Sequence, residues 1–202
     1  MPPLVLLWLA CLAPAADPLP VVPDVQLRQL SGRYFEVATY LQWVEIGCRN
    51  SSLTFQQQGR ATGVRLECDR GSNHPSAEGH VTVPDASRPG HTIVEFAGPV
   101  GPIKVTFDVI MLGPNYSWLV LGHPSRRALW ILSRRPALPR TTLDDIIGTL
   151  EARLGYRGVR RALTCTPHEG QVMDICRSAL RPGLATGPFF DDSSDGGLEE
   201  AL

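Results

Sequence analysis

The chain consists largely of short runs of β-branched and aromatic residues separated by Gly, Pro, Asn, Asp and Ser. Runs of this length predict β-strands, and the residues between them predict turns. Eight strands are predicted, over residues 33–40, 50–57, 63–68, 78–83, 91–97, 103–112, 115–121 and 127–133. Because the connecting turns are short, we expect sequential hairpins and an all-β fold, an eight-stranded antiparallel up-and-down β-barrel.

One segment, residues 142–154, has the period of a helix instead of a strand. Its apolar side chains share one face and are Leu143, Ile146, Ile147, Leu150 and Leu154. We therefore predict one C-terminal amphipathic α-helix that packs against the outside of the sheet. Thr141 or Thr142 is expected to cap its start and Gly155 to end it. A short apolar run at 162–164 predicts a ninth strand.

The two ends of the chain differ from the 17–181 domain between them. Residues 1–16 form an apolar stretch that ends in small residues, which predicts a cleaved signal peptide and a secreted, extracellular protein. Cys11 follows Leu9 and Ala10, so an alternative is a bacterial envelope lipoprotein held to the membrane through a lipid on Cys11. Residues 182–202 are rich in Gly, Ser and acidic residues without periodicity, and this composition predicts a disordered acidic tail.

The composition of the 202 residues, with 43% hydrophobic residues and a formal charge of -1, is that of one ordinary globular domain. The acidic tail leaves only a small positive excess elsewhere, which is too weak to suggest a nucleic-acid partner. The five histidines are scattered and no Cys-x-x-Cys pair occurs, so no metal site and no cofactor are expected. We expect a monomer.

Four cysteines remain once the signal peptide is removed: Cys48, Cys68, Cys165 and Cys176. An even number in an exported chain predicts two disulfides. The hairpin of the second and third strands would bring Cys48 opposite Cys68 and leave Cys165 to pair with Cys176. We favour this local pairing over a crosswise one.

Two tripeptides match the acceptor for N-glycosylation, at residues 50–52 and 115–117. Asn50, near the start of a strand, is the better candidate, because Asn115 lies in a tight turn beside Pro114. The sequence thus predicts a glycoprotein if the chain passes through a eukaryotic secretory pathway.

Two motifs carry a resemblance to a known family. Residues 32–38 (Gly-Arg-Tyr-Phe-Glu-Val-Ala) resemble the opening motif of lipocalins, with Tyr34 where the family has Trp. Residues 129–136 (Leu-Trp-Ile-Leu-Ser-Arg-Arg-Pro), followed by a helix and by Gly155-Tyr156, are similar to the last-strand motif of one lipocalin branch. That branch contains apolipoprotein D and the bacterial lipocalins.

The resemblance implies a closed barrel floor. There the strand that begins at Gly32 would place the Tyr34 ring beneath the guanidinium of Arg134, a cation-π contact. It also implies the alternative disulfide pattern, in which Cys165 or Cys176 ties the C-terminal arm to the second strand.

The resemblance further implies binding and carriage of a small apolar ligand, such as a fatty acid, lysophospholipid, steroid or similar lipid, in the barrel cavity. The predicted lining residues are Phe55, Phe96, Phe107, Val109, Met111, Trp118 and Trp130. Glu36 would either orient the polar end of the ligand inside the barrel or lie at its rim.

Two other classes of function compete with a non-catalytic carrier. A lipocalin-fold isomerase would use a reduced cysteine at the cavity, and Cys68 is the candidate. A surface-anchored lipoprotein or receptor-binding module would contact a receptor or membrane, and lipid on Cys11 would be its signature.

Overall fold

One antiparallel sheet dominates the computed structural model, which describes residues 18–40, 42, 45–97, 102–170 and 174–180. Its strands are β1 (Gly32–Tyr40), β2 (Arg49–Gln58), β3 (Ala61–Asp69), β4 (Ser76–Thr82), β5 (Ile93–Phe96), β6 (Ile103–Thr106), β7 (Asp108–Leu112), β8 (Trp118–Gly122), β9 (Leu129–Ser133) and β10 (Leu163–Cys165). The predicted signal peptide and acidic tail lie outside the described residues.

The strands follow the order β6-β5-β4-β3-β2-β1-β9-β8-β7, and β10 pairs with β1. This is the predicted up-and-down arrangement, and β10 is the predicted ninth strand. The predicted strand 103–112 is present as β6 and β7, which are separated by Phe107. Because β6 pairs with β5 and β7 pairs with β8, this one bent segment joins the two ends of the sheet and closes the barrel.

Hydrogen bonds continue across the bend at Phe107. The Phe107 N–H donates to the Thr92 carbonyl at 2.9 Å, and the Val109 N–H donates to the Gly90 carbonyl at 2.8 Å. The backbone of the bend is therefore satisfied even where strand pairing changes partner.

The described residues after β9 include the helices α1 (Arg140–Ala152), α2 (Val159–Ala162) and α3 (Asp174–Leu180). The predicted helix is α1, but the predicted cap at Thr141 or Thr142 is wrong. The helix begins at Arg140 after Pro139, which has no side chain that can cap it and adopts the non-helical ψ of 143°. The helix ends at Ala152 with Arg153 as its C-cap, and Gly155, the predicted end, follows two residues later with a φ of +71°. Among the described residues no helix is both long and apolar enough to cross a bilayer.

Two apolar clusters lie on opposite faces of the sheet. The inner cluster fills the barrel with alternate residues of the strands, among them Leu53, Val64, Val94 and Leu119. The outer cluster consists of the predicted stripe of α1 together with residues such as Val120 and Ile131 on the outer face of β8 and β9. The helix therefore packs outside the barrel, as predicted.

A C-terminal segment fills a gap in the barrel wall. Strands β1 and β2 pair only between Gly32–Phe35 and Ser52–Phe55, and β10 pairs with the remainder of β1. Residues 166–169, here called the wedge, then lie between β1 and β2. The Thr166 N–H donates to the Val37 carbonyl at 3.1 Å, and the Asn50 N–H donates to the Pro167 carbonyl at 2.8 Å.

Both disulfides are local, Cys48–Cys68 and Cys165–Cys176. The favoured pairing is confirmed and the crosswise alternative is wrong. The second disulfide joins the end of β10 to α3, immediately before the wedge. The sulfur of Cys68 is bonded to Cys48, so the isomerase alternative lacks the free thiol that it requires in this structure.

Candidate functional site

The floor of the barrel is the predicted stack of Arg134 on Tyr34. The guanidinium carbon of Arg134 lies 3.8 Å from the centre of the Tyr34 ring. Gly32 has a φ of +102°, and a Cβ there would lie 2.8 Å from Arg134 Nη1. Glycine is therefore required at this position both by the backbone and by the close approach of the guanidinium.

Hydrogen bonds fix both members of the stack. The Tyr34 hydroxyl donates to the Tyr116 carbonyl at 2.9 Å, and burial raises its pKa to about 12. The Arg134 guanidinium donates to four backbone carbonyls, those of Gln29, Leu30, Arg33 and Tyr116. These contacts join the 3-10 helix at Leu27–Leu30 to the ends of β1 and β9, and they close this end of the barrel.

The lower half of the barrel, next to the floor, is filled by side chains. An enclosed cavity of about 10 Å³ remains, which is about the space of one water molecule. The cavity is lined mainly by apolar side chains such as Phe55, Val94, Val109 and Leu121. A ligand of more than a few atoms therefore has no room in this half unless the core rearranges.

The opposite half, the mouth, exposes inward-facing apolar side chains on β3, β4 and β6. Leu66 pairs with Ala77 across β3 and β4, and both pack against the inner cluster while staying half-exposed. Ile103 pairs with the inward-facing Phe96 and therefore shares its face, yet 53% of Ile103 is exposed. Val105 is the next inward position on β6 and is half-buried. These side chains form an apolar wall that is not covered by the core.

Three aromatic rings cross the barrel beneath this wall. Phe107 contacts Phe96 with 6.3 Å between ring centres, and it contacts Trp130 with 4.9 Å, both edge to face. The row runs from β5 through the bend to β9 and separates the filled lower half from the mouth. We call the part of the barrel between this row and the apolar wall the mouth chamber.

The wall of the mouth chamber on β1 and β9 is polar. The Trp130 indole N–H donates to Glu45 Oε1 at 2.8 Å. The Gln42 N–H donates to Glu45 Oε2 at 3.0 Å, and the Thr39 hydroxyl lies 3.5 Å from the same oxygen. Glu45 lies beyond the end of β1, and these bonds hold its carboxylate against the β9 side of the barrel.

Glu36 lies on the inward face of β1, next to the Glu45 side chain. Only 6% of Glu36 is exposed. It pairs with the inward-facing Leu132 of β9, which establishes its direction. Thr166 of the wedge donates a hydrogen bond of 2.5 Å to Glu36 Oε1. Burial, and then the neighbouring Glu45 carboxylate, raise the pKa of Glu36 to about 8. Burial and the adjacent carboxyl therefore favour the protonated form of Glu36 near neutral pH.

The structure brings most of the predicted lining residues together inside the barrel. Those inside are Phe55, Phe96, Phe107, Val109 and Trp130, and Glu36 joins them. Their contact with a ligand stays a prediction.

The predicted inward direction is wrong for Met111 and Trp118, which pack against the outer cluster. For Met111 the reason is a register shift between Val109 and Met111, which reverses the alternation along β7. Trp118 is the outward neighbour of the buried Leu119, and its ring covers Gly113, where a Cβ would lie 2.4 Å from the indole nitrogen.

Several residues of the mouth chamber were not identified from the sequence. Leu66, Ala77 and Val105 follow the alternation of their strands. Extending the inward face along each strand from its buried residues would therefore have identified them. Glu45 and Thr166 lie beyond strand ends, where alternation carries no information. Only the folded chain places them next to Glu36.

Asn50, the predicted glycosylation site, has its side-chain amide in two hydrogen bonds. Its Nδ2 donates to Asp69 Oδ2 at 2.7 Å, and its Oδ1 accepts the Glu169 N–H at 2.9 Å. The amide thereby joins β2 to β3 and to the wedge. Glycosylation stays a prediction, and it would occur on a nitrogen that already has a structural partner.

Comparisons with known proteins agree with this architecture. Residues 25–164 match the family model of a lipocalin-like domain. The outer membrane lipoprotein Blc of Vibrio cholerae is 30% identical over 131 residues, which are 62% of this chain and 74% of that protein.

Solved structures are similar in fold. Insecticyanin from the tobacco hornworm Manduca sexta superposes with a TM-score of 0.61 at 17% identity, over 72% of this chain and 82% of that one. Lobster apocrustacyanin A1 gives a TM-score of 0.54 at 11% identity, over 69% and 78% of the two chains. The cockroach allergen Per a 4 gives 0.54 at 10% identity, over 72% and 90%. Taken with the family match and the Vibrio cholerae relative, the barrel and its floor show that this chain belongs to the lipocalin family, in the bacterial lipocalin branch.

Proposed function

We propose that this protein binds one small apolar ligand in the mouth chamber and carries it without chemical change. The observation that supports this most is the apolar wall of Leu66, Ala77 and Ile103, which faces inward and stays partly exposed above a filled lower barrel. When an apolar ligand covers inward apolar side chains that were accessible to water, the free energy of the system falls. A concave, mostly apolar surface with a few polar groups is typical of sites that bind small molecules.

The ligand classes that the family resemblance implied are fatty acids, lysophospholipids, steroids and similar lipids. Because side chains fill the lower half, we expect a ligand whose buried part is compact, or one whose chain extends out of the mouth. A catalytic role has less support, because the candidate nucleophile Cys68 is in a disulfide.

We further propose export from the cell. The apolar leader at residues 1–16 and the two disulfides support an oxidising destination. The alternative with a lipid on Cys11 draws support from the relative that is named an outer membrane lipoprotein.

A large side chain on the apolar wall is expected to fill the mouth chamber and block ligand binding. Ala77 is the smallest residue of the apolar wall, and Ala77→Trp places an indole in the chamber. We expect this variant to bind the uncharged fluorophore N-phenyl-1-naphthylamine at least about tenfold more weakly than the parent, which should bind it one to one. Fluorescence titration at pH 7.5 measures both.

Glu78→Trp is the matched control, because Glu78 is the exposed, outward-facing neighbour of Ala77. It should bind as the parent does. If the parent does not take up the fluorophore, or if both variants bind it with parental affinity, the mouth chamber is not the binding site.

A further inference from the structure

Two carboxyl groups share the polar wall of the mouth chamber, and the chain holds them there from several elements. Glu36 belongs to β1, Glu45 to the loop that follows it, Trp130 to β9 and Thr166 to the wedge. We call Glu36 and Glu45 the carboxyl pair. The residues that hold the pair come from distant parts of the chain, so the pair forms only when the barrel is folded. A run of acidic residues on one surface loop would not depend on the fold in this way.

The two members are supported differently. Glu45 accepts hydrogen bonds from the indole N–H of Trp130 and the backbone N–H of Gln42, which are donors that suit a carboxylate. Glu36 has Thr166 as its donor and Glu45 as its neighbour. The proton that the pair holds lies on Glu36, because burial and the neighbouring carboxyl both raise the pKa of Glu36.

Such a pair is costly to bury for packing alone. A buried carboxyl loses hydration, and an apolar residue of similar volume in its place is often neutral or stabilising. The carboxyl pair also lies across the barrel from the apolar side chains of β4 and β6, since β1 is three strands away from each of them around the sheet. A ligand in the chamber would therefore contact apolar groups on one side and carboxyls on the other.

We infer that the carboxyl pair is the polar subsite of the mouth chamber and selects amphipathic amines, with a compact apolar body and one ammonium group, over carboxylates of the same body. This inference rests on the proposed function, because it names the ligand class of the same chamber. An ammonium group has three N–H donors and no acceptor, so it can serve both carboxyls at once. A carboxylate head has no N–H group to donate and would lie against two carboxyl groups at low dielectric.

Binding of the ammonium displaces the proton that the pair holds. Glu36 releases its proton to solvent, the ammonium keeps its own protons, and the two carboxylates accept hydrogen bonds from its N–H groups. Near neutral pH, close to one proton should leave the protein for each amine bound. The other titratable group near Glu36 among the described residues is His168, whose imidazole bonds to the Glu36 carbonyl at 2.7 Å rather than to its carboxyl. Burial lowers the pKa of His168, so it stays neutral in this pH range.

Three ligands with the same eight-carbon body test the inference: octylamine, 1-octanol and octanoate. Isothermal titration calorimetry at pH 7.5, in two buffers of different ionisation enthalpy, gives the affinities and the number of protons released. We expect octylamine to bind about tenfold or more tightly than octanoate, with 1-octanol between them and proton release with octylamine alone.

Glu45→Gln and Glu36→Gln should reduce the preference for octylamine over octanoate to less than about threefold and abolish proton release. Gln keeps an acceptor for Trp130 or Thr166, so both variants retain these hydrogen bonds, and melting temperatures verify folding. Glu169→Gln removes one charge from an exposed residue of the wedge and should retain the parental preference.

Two results would overturn the inference. Equal affinities for all three ligands in the parent would show that the carboxyl pair does not select the head group, while the proposed carrier function would stand. Failure of both 1-octanol and N-phenyl-1-naphthylamine to bind would remove the carrier function, and the inference with it.

Discussion

Replacing Arg134 with alanine is expected to lower the free energy of unfolding by about 2 to 3 kcal/mol. The variant loses the cation-π contact with Tyr34 at 3.8 Å and the packing of the arginine stem. It also leaves four carbonyls at the floor without their guanidinium donor. Chemical denaturation of the variant beside the parent measures the difference.

Arg135→Ala is the matched control, since the same residue type is removed one position later. Arg135 is exposed, and alternation turns its side chain away from Tyr34, so we expect a loss of less than about 0.5 kcal/mol. Equal losses for the two variants, or a larger one for Arg135→Ala, would mean that the floor does not depend on the stack.

Replacing Ile147 with alanine is expected to cost about 2 to 4 kcal/mol of stability. Ile147 is completely buried between α1 and the outer face of the sheet, so the variant leaves a cavity that the surrounding strands cannot easily fill. Alanine is a good helix former, and α1 itself therefore should persist. Thermal unfolding followed by circular dichroism measures the effect.

Ile175→Ala provides the comparison on a second helix, because 42% of Ile175 is exposed on α3. Its loss should stay below about 1 kcal/mol. A similar cost at both positions would show that α1 is not seated on the barrel as described.

The order of the elements could be predicted because each one has its own sequence period. The eight strands, the helix and the short ninth strand all occur near their predicted positions. The floor was also predictable, since Tyr34 and Arg134 belong to motifs at the two strand ends that the barrel brings together. These features depend on alternation along single segments and on the family resemblance.

The direction of individual side chains near bulges could not be predicted. One register shift in β7 turns Met111 out of the barrel, and nothing in the local residues marks it. The same limit applies to Glu45, which lies beyond the end of β1. Glu36 was identified as a candidate, but its partner and the donor from the wedge emerge only from long-range contacts.

Burial is unequal between the two halves of the barrel, and this difference explains how one fold can be both stable and able to bind. The floor stack and the inner cluster fill the lower half, while the upper half leaves Ile103 and its neighbours on β3 and β4 partly accessible to water. We expect the lower half to supply rigidity and the mouth chamber to supply binding.

Intermolecular nuclear Overhauser effects between 1-octanol and methyl groups of an otherwise deuterated protein test this account most directly. We predict contacts from the octanol chain to the methyl groups of Leu66, Ile103 and Val105, and none to Ile110 or Ile146 of the outer cluster. Contacts confined to the outer cluster, or no contact with the three mouth residues at saturating octanol, would contradict the account.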